Sequence, residues 1–166
     1  MFEGSHVAIV TPLKEGKVDY DKFAELIEWH VEAGTDGLVP CGTTGESATL
    51  THDEHHEVVK FAIKQVNKRM KVTAGAGSNS THEAIGLAKA AQEAGADAIL
   101  SISPYYNKPT QEGIYRHFKA VGEAIETPIV IYNVPGRTAK EIALDTVKRL
   151  AQLDRIAAIK EAGGSV

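Results

Sequence analysis

Lys160 closes a short apolar run, Ile156-Ala157-Ala158-Ile159, and is followed by Glu161-Ala162-Gly163-Gly164. A lysine at the mouth of an apolar site loses hydration. Desolvation disfavours its charged form and frees the amine that attacks a carbonyl. Other chemically capable residues stand at comparable places. Tyr132 ends an apolar run, Tyr105 and Tyr106 follow another, and Arg137 sits within Val134-Pro135-Gly136-Arg137-Thr138. Thr43 and Thr44 lie between glycines in Gly42-Thr43-Thr44-Gly45-Glu46. The amides and hydroxyls of that loop suit a carboxylate or phosphate, and the Arg137 fork suits bidentate capture of a carboxylate. Each also has a plainer reading: packing aromatics, a solvated arginine, a turn, an exposed strand end.

The elements that must position these side chains alternate strictly. Strands are expected at His6 to Thr11, Gly37 to Pro40, Lys71 to Ala74, Ala98 to Ile102, Pro128 to Asn133 and Ile156 to Lys160. Between them run amphipathic helical patterns. Asp19 caps one that carries Tyr20, Phe23, Ile27 and Val31 on a single face and is closed by Gly34. Thr51 with Glu54 and Ser80 with Glu83 read as capping boxes. Thr110 opens a helix with Ile114, Phe118, Val121 and Ile125, and another helix is expected near Leu144 to Leu153. Lys14 to Lys17 reads as a turn. The stretch from Glu32 to Val39 recurs weakly as Glu93 to Leu100, each copy a helix end, a glycine and the next strand. This is the rhythm of stacked β/α units.

Such alternation fits a doubly wound open sheet or a barrel. The unusual residues fall after the second and fourth strands, in and after the fifth, and at the end of the sixth. A barrel brings all those ends to one face, whereas an open sheet spreads them along a line, so the expected fold is α/β, a parallel (β/α) barrel of TIM type. Gly42 to Gly45 lacks the lysine of a phosphate-binding P-loop, and Gly75-Ala76-Gly77 lacks the third glycine of a dinucleotide fingerprint.

The totals exclude further classes. The 166 residues make a single domain by length, 43% hydrophobic and 24% charged, with a net charge of −4. No basic block points to nucleic acid. No apolar stretch reaches the length of a membrane span, and Met1-Phe2-Glu3-Gly4 does not resemble a signal peptide. The single cysteine, Cys41, forbids an intrachain disulfide and fits a reducing, cytoplasmic setting as a small buried residue.

Four motifs taken together, Gly42-Thr43-Thr44-Gly45-Glu46, Pro104-Tyr105-Tyr106-Asn107, Tyr132-Asn133-Val134-Pro135-Gly136-Arg137-Thr138 and Ile159-Lys160-Glu161-Ala162, resemble the dihydrodipicolinate synthase family of pyruvate-dependent class I aldolases. The resemblance runs from Phe2 to Ala162. N-acetylneuraminate lyases share the strand-two loop, the tyrosine and the lysine but lack the Pro-Gly-Arg-Thr arrangement. The resemblance implies that Lys160 forms a Schiff base with pyruvate and that Tyr132 moves protons in a relay with Thr43 and Tyr106. It implies that Tyr106 reaches into the site of a neighbouring subunit, so that a homodimer or higher oligomer is needed. Thr44 would help hold the pyruvate carboxylate and Arg137 the carboxylate of aspartate 4-semialdehyde. The condensation would give 4-hydroxy-tetrahydrodipicolinate, in lysine (diaminopimelate) biosynthesis, with neither metal nor organic cofactor. Ser47, Ala48, His52, His55, Asn79, Glu83 and Tyr105 resemble the lysine feedback site of bacterial members, against the alternative of ordinary surface polarity.

The family barrel has eight strands and a helical C-terminal region. Six strands and about five helices are expected here, so residues 1–166 read as one incomplete barrel domain without strands seven and eight and that region. Three expectations stand: a piece of a longer enzyme, a partial barrel closed by association with another copy, or an inactive remnant serving as a binding module. An aldolase of different aldehyde specificity is a further alternative, although Arg137 argues for a substrate bearing a second carboxylate.

Overall fold

The computed structural model describes residues 2–164. They fall into two compact units, residues 2–75 with 93–97, and residues 76–92 with 98–164.

In the first unit, β1 (His6–Ala8) precedes a hairpin of β2 (Leu13–Lys14) and β3 (Lys17–Val18). The expected turn at Lys14 to Lys17 is therefore the tip of a small antiparallel ladder. Glu15 and Gly16 take φ of 53° and 77°, the pair of left-handed residues that a two-residue hairpin requires. Helix α1 (Tyr20–Glu32) follows its Asp19 cap, whose carboxylate accepts from the Lys22 N–H, and buries Phe23 and Ile27. Next come β4 (Gly37–Val39), a short 3₁₀ turn at Ser47–Thr49, α2 (His52–Val66) and β5 (Lys71–Gly75). The Thr51–Glu54 capping box is present in both directions. β4 pairs in parallel with β1 and with β5. Val58, Val59, Ala62 and Val66 of α2 are buried, as is Leu38 of β4. Phe61 stacks on Phe23 with ring centroids 5.8 Å apart.

The second unit takes α3 (Thr81–Ala94) through Gln92, then β6 (Ala98–Ile102), α4 (Gln111–Glu123), β7 (Ile129–Asn133), α5 (Pro135–Thr138), α6 (Leu144–Leu150) and β8 (Ile156–Glu161). β6, β7 and β8 form consecutive parallel pairs. Ile129 and Ile131 of β7 are buried on alternating residues with Val130, so both faces of this strand are covered. Phe118, Ile114 and Val121 form the buried face of α4. At the start of α3 the expected box is completed differently. Glu83 N–H donates to Ser80 Oγ at 3.4 Å, but Ser80 N–H donates to Ser78 Oγ, which in turn donates to the Glu83 carboxylate. The helix expected near Leu144 to Leu153 ends at Leu150, and Pro135–Thr138 is a helical turn rather than a loop.

Candidate active site

The centre of the site is a register pair. Tyr132 and Lys160 are directly opposed on β7 and β8, so their side chains leave the sheet on one face. Lys160 Nζ stands 4.6 Å from the centroid of the Tyr132 ring. The electron-rich ring face attracts an ammonium there. Tyr132 is 8% exposed. Lys160 is exposed, as are Ala157, Ile159 and Glu161. Of the readings that the sequence left open for Lys160, the structure shows the exposed strand end. β8 pairs with β7 alone among the described residues.

Next along the same two strands, Asn133 opposes Glu161 on the other face. Asn133 is 1% exposed and bonded through its amide nitrogen, its amide oxygen and its backbone oxygen. Its Nδ2 donates to Glu161 Oε2 at 2.8 Å, its Oδ1 accepts from Ile142 N–H at 3.2 Å, and its backbone oxygen accepts from Ala162 N–H at 2.9 Å. Glu161 Oε1 accepts from Gly163 N–H at 2.6 Å. Sequence reasoning quoted both residues inside motifs and gave neither a role. The signal available was an amide and a carboxylate each following a reactive residue.

Arg137 lies exposed on α5. Pro135 opens that turn with its fixed φ, and the buried Thr138 closes it by donating to the Lys140 carbonyl at 2.9 Å. Gln111 then braces the following segment. Its Nε2 donates to the Glu141 carbonyl at 2.8 Å and its Oε1 accepts from Ala143 N–H at 3.0 Å and Thr146 Oγ1 at 2.8 Å. Tyr106 is 88% exposed with φ of 71°, a left-handed conformation uncommon for a bulky side chain. Tyr105 is half-buried.

Thr43 and Thr44 belong to the first unit and are both exposed. Their loop is tightly built. Thr11 Oγ1, buried, donates to the Gly45 carbonyl at 2.8 Å, and Glu46 N–H donates to the Thr43 carbonyl at 3.1 Å. A Cβ at Gly45 would lie 3.0 Å from the Cys41 nitrogen and 3.1 Å from the Ile9 oxygen, which explains the glycine. Cys41 is buried, as expected. The residues compared with a feedback site divide between the units. Ser47 and Ala48 lie on the 3₁₀ turn, while His52 is exposed and His55 buried on α2. Asn79 and Glu83 stand at the start of α3 in the second unit, where the Asn79 carbonyl accepts from Asn107 Nδ2 at 3.4 Å.

The sequence profile of the dihydrodipicolinate synthetase family matches residues 1–166. The chain belongs to this family. It is 58% identical to the 4-hydroxy-tetrahydrodipicolinate synthase of Syntrophobacter fumaroxidans over 166 residues, all of this chain and 57% of that one. The dihydrodipicolinate synthase of Acinetobacter baumannii, solved as a complex with pyruvate, superposes with a TM-score of 0.98 at 54% identity over 100% of this chain and 57% of that one. The dihydrodipicolinate synthase of Cyanidioschyzon merolae, solved with lysine bound, gives 0.94 at 42% identity over 98% and 56%. The parallel (β/α) order is therefore that of dihydrodipicolinate synthases. The chain spans a little over half the length of these relatives, so the barrel that it represents is incomplete.

Proposed function

We propose that the chain carries the Schiff-base machinery of a 4-hydroxy-tetrahydrodipicolinate synthase, a lyase that condenses pyruvate with aspartate 4-semialdehyde in cytoplasmic lysine biosynthesis. The observation that carries this reading is Lys160 Nζ held 4.6 Å from the Tyr132 ring by strand register. The neutral amine adds to the C2 carbonyl of pyruvate and water leaves, giving an imine. The imine withdraws electrons from C3, a proton passes from C3 to Tyr132, and the enamine carbon attacks the aldehyde. Tyr132 acts with Thr43 and Tyr106, Tyr106 being supplied by a second copy of the chain. Thr44 and Arg137 take the carboxylates of pyruvate and the semialdehyde. Hydrolysis of the new imine restores Lys160 and releases a product that cyclises. The pyruvate bound to the Acinetobacter baumannii protein supports the first substrate, and the lysine bound to the Cyanidioschyzon merolae protein supports lysine as an effector through Ser47, Ala48, His52, His55, Asn79, Glu83 and Tyr105.

Borohydride with pyruvate tests the reading. Mass spectrometry should find reduced pyruvate on Lys160, and Lys160→Ala should abolish it. The exposure of Lys160 and Ile159 favours one second reading, a self-associating barrel piece without catalysis. Pyruvate-independent dimers or larger species together with no adduct would establish that reading and sink the first.

A further inference from the structure

β8 does not pair with β7 in an unbroken ladder. Ile129 opposes Ile156, but Val130 opposes Ala158, so Ala157 is an extra residue on β8. Beyond this bulge the strand is offset by one position, and only that offset puts Lys160 opposite Tyr132. Successive side chains leave a strand on opposite faces, so a slip by one residue carries Lys160 to the wrong face. Before the bulge the register is held by Ile129 N–H donating to the Arg155 carbonyl at 2.7 Å. Beyond it, β8 has a neighbour on one side only among the described residues. The small residues Ala157, Ala158 and Ala162 supply little side-chain interlocking to oppose a slip.

We propose that Asn133 is a positioning residue: its buried amide clamps Glu161 and thereby fixes the offset register that presents Lys160 to Tyr132. The clamp has three parts. Asn133 Nδ2 holds Glu161 Oε2, the Asn133 carbonyl holds Ala162 N–H, and Asn133 Oδ1 holds Ile142 N–H. The third part ties the same register to the segment after Arg137, which Gln111 braces from α4. Both Glu161 oxygens are occupied, one by Asn133 and one by Gly163 N–H, which directs the carboxylate away from the lysine face. Asn133 being 1% exposed, its own amide is costly to leave unmet, whereas Glu161 is exposed. In its bearing on catalysis, the proposal rests on the Schiff-base reading above.

An exchange of partners tests it. Asn133→Asp sets two carboxylates against each other. Glu161→Gln leaves one acceptor oxygen for two N–H donors. The double variant, Asn133→Asp with Glu161→Gln, restores every bond, with the polarity reversed only between positions 133 and 161. The aspartate oxygens accept from Ile142 and from the new amide, whose own oxygen accepts from Gly163. Labelling of Lys160 by borohydride at saturating pyruvate is followed in time. A misplaced amine slows the rate constant, whereas partial unfolding lowers only the amplitude. Each single variant should slow labelling about tenfold or more, and the double should return to within about threefold of the parent. Parental rate constants in the single variants, amplitude losses alone, or a folded double variant that stays slow would each overturn the proposal. Should the unmutated chain take no label, the Schiff-base reading fails and the register is judged by hydrogen exchange at the Ala162 amide. Protection lost in both single variants and regained in the double supports the clamp; protection unchanged in the single variants overturns it.

Discussion

The Cys41 thiol lies 3.9 Å from the His55 carbonyl oxygen, is 2% exposed, and is pushed by burial up to about 12. The thiolate is the reactive form, so native chain should give no colour with an aromatic disulfide reagent at mildly alkaline pH and one thiol on denaturation. Full labelling of the native chain at once would show that Cys41 is reached without unfolding. The sequence points to this buried cysteine because a lone cysteine has no disulfide partner within the chain and packs as a small apolar residue. Lys160 and Tyr132 were legible for a related reason: each ends an apolar strand, and parallel strands of equal phase bring such ends together. Asn133 was not. Its partners Ile142 and Glu161 are set by how β8 lies on β7, and the offset at Ala157 that governs the pairing leaves no mark in a run of alanines. An apolar strand buries the lysine at its end only when both of its edges are covered, and β8 pairs with β7 alone among the described residues.

At the level of elements, the helix starts were read most securely, since a cap is a contact between residues three apart. Thr51 accepts from Glu54 N–H, and the Glu54 carboxylate accepts from Thr51 N–H at 2.9 Å. The Thr51 N–H and the Thr51 hydroxyl, both donating to that carboxylate at 2.9 Å, hold the Glu54 carboxyl below its usual range. Removing the cap with Thr51→Ala should cost about 1 kcal/mol, read as a lower urea midpoint with an unchanged slope. An unchanged midpoint would mean that α2 is held by its buried face alone. Ser80 shows where such reading stops. The local pattern gave a box, but Ser78, 2% exposed just after Gly77, intercepts its return half. The tightness there comes from further along the chain, since a Cβ on Gly77 would lie 2.4 Å from the Ile102 nitrogen. The β2–β3 hairpin escaped for the opposite reason. Each strand has two residues, too few for alternation to register, and only the paired positive φ values at Glu15 and Gly16 reveal it.

For the molecule as a whole, one contribution to acid stability comes from a buried histidine outside the site. His117 of α4 is 4% exposed, its Nδ1 lies 2.9 Å from Thr81 Oγ1, and its Nε2 is buried without a partner among the described residues. Phe118 packs edge-on against the same ring at 5.2 Å. Burial holds its pKa down at about 4, against an ordinary value of 6.5. The folded state therefore refuses a proton that the unfolded chain accepts. Above pH 6.5 both states are neutral at this position and its contribution is fully present. As the pH falls toward about 4 the unfolded chain gains the proton first, and stability drops by up to about 1.4 kcal/mol per pH unit. Over the whole window the loss amounts to roughly 3 kcal/mol. Below it the folded chain is protonated too and this contribution stops changing. His117→Asn keeps a group able to bond Thr81 and removes the titration. The urea midpoint should fall between neutral pH and about pH 4.5 in both proteins, but by clearly less in the variant. Comparing each protein with itself cancels the fixed cost of the substitution. Equal falls in the two would assign the acid sensitivity to other groups and leave His117 a silent part of the core.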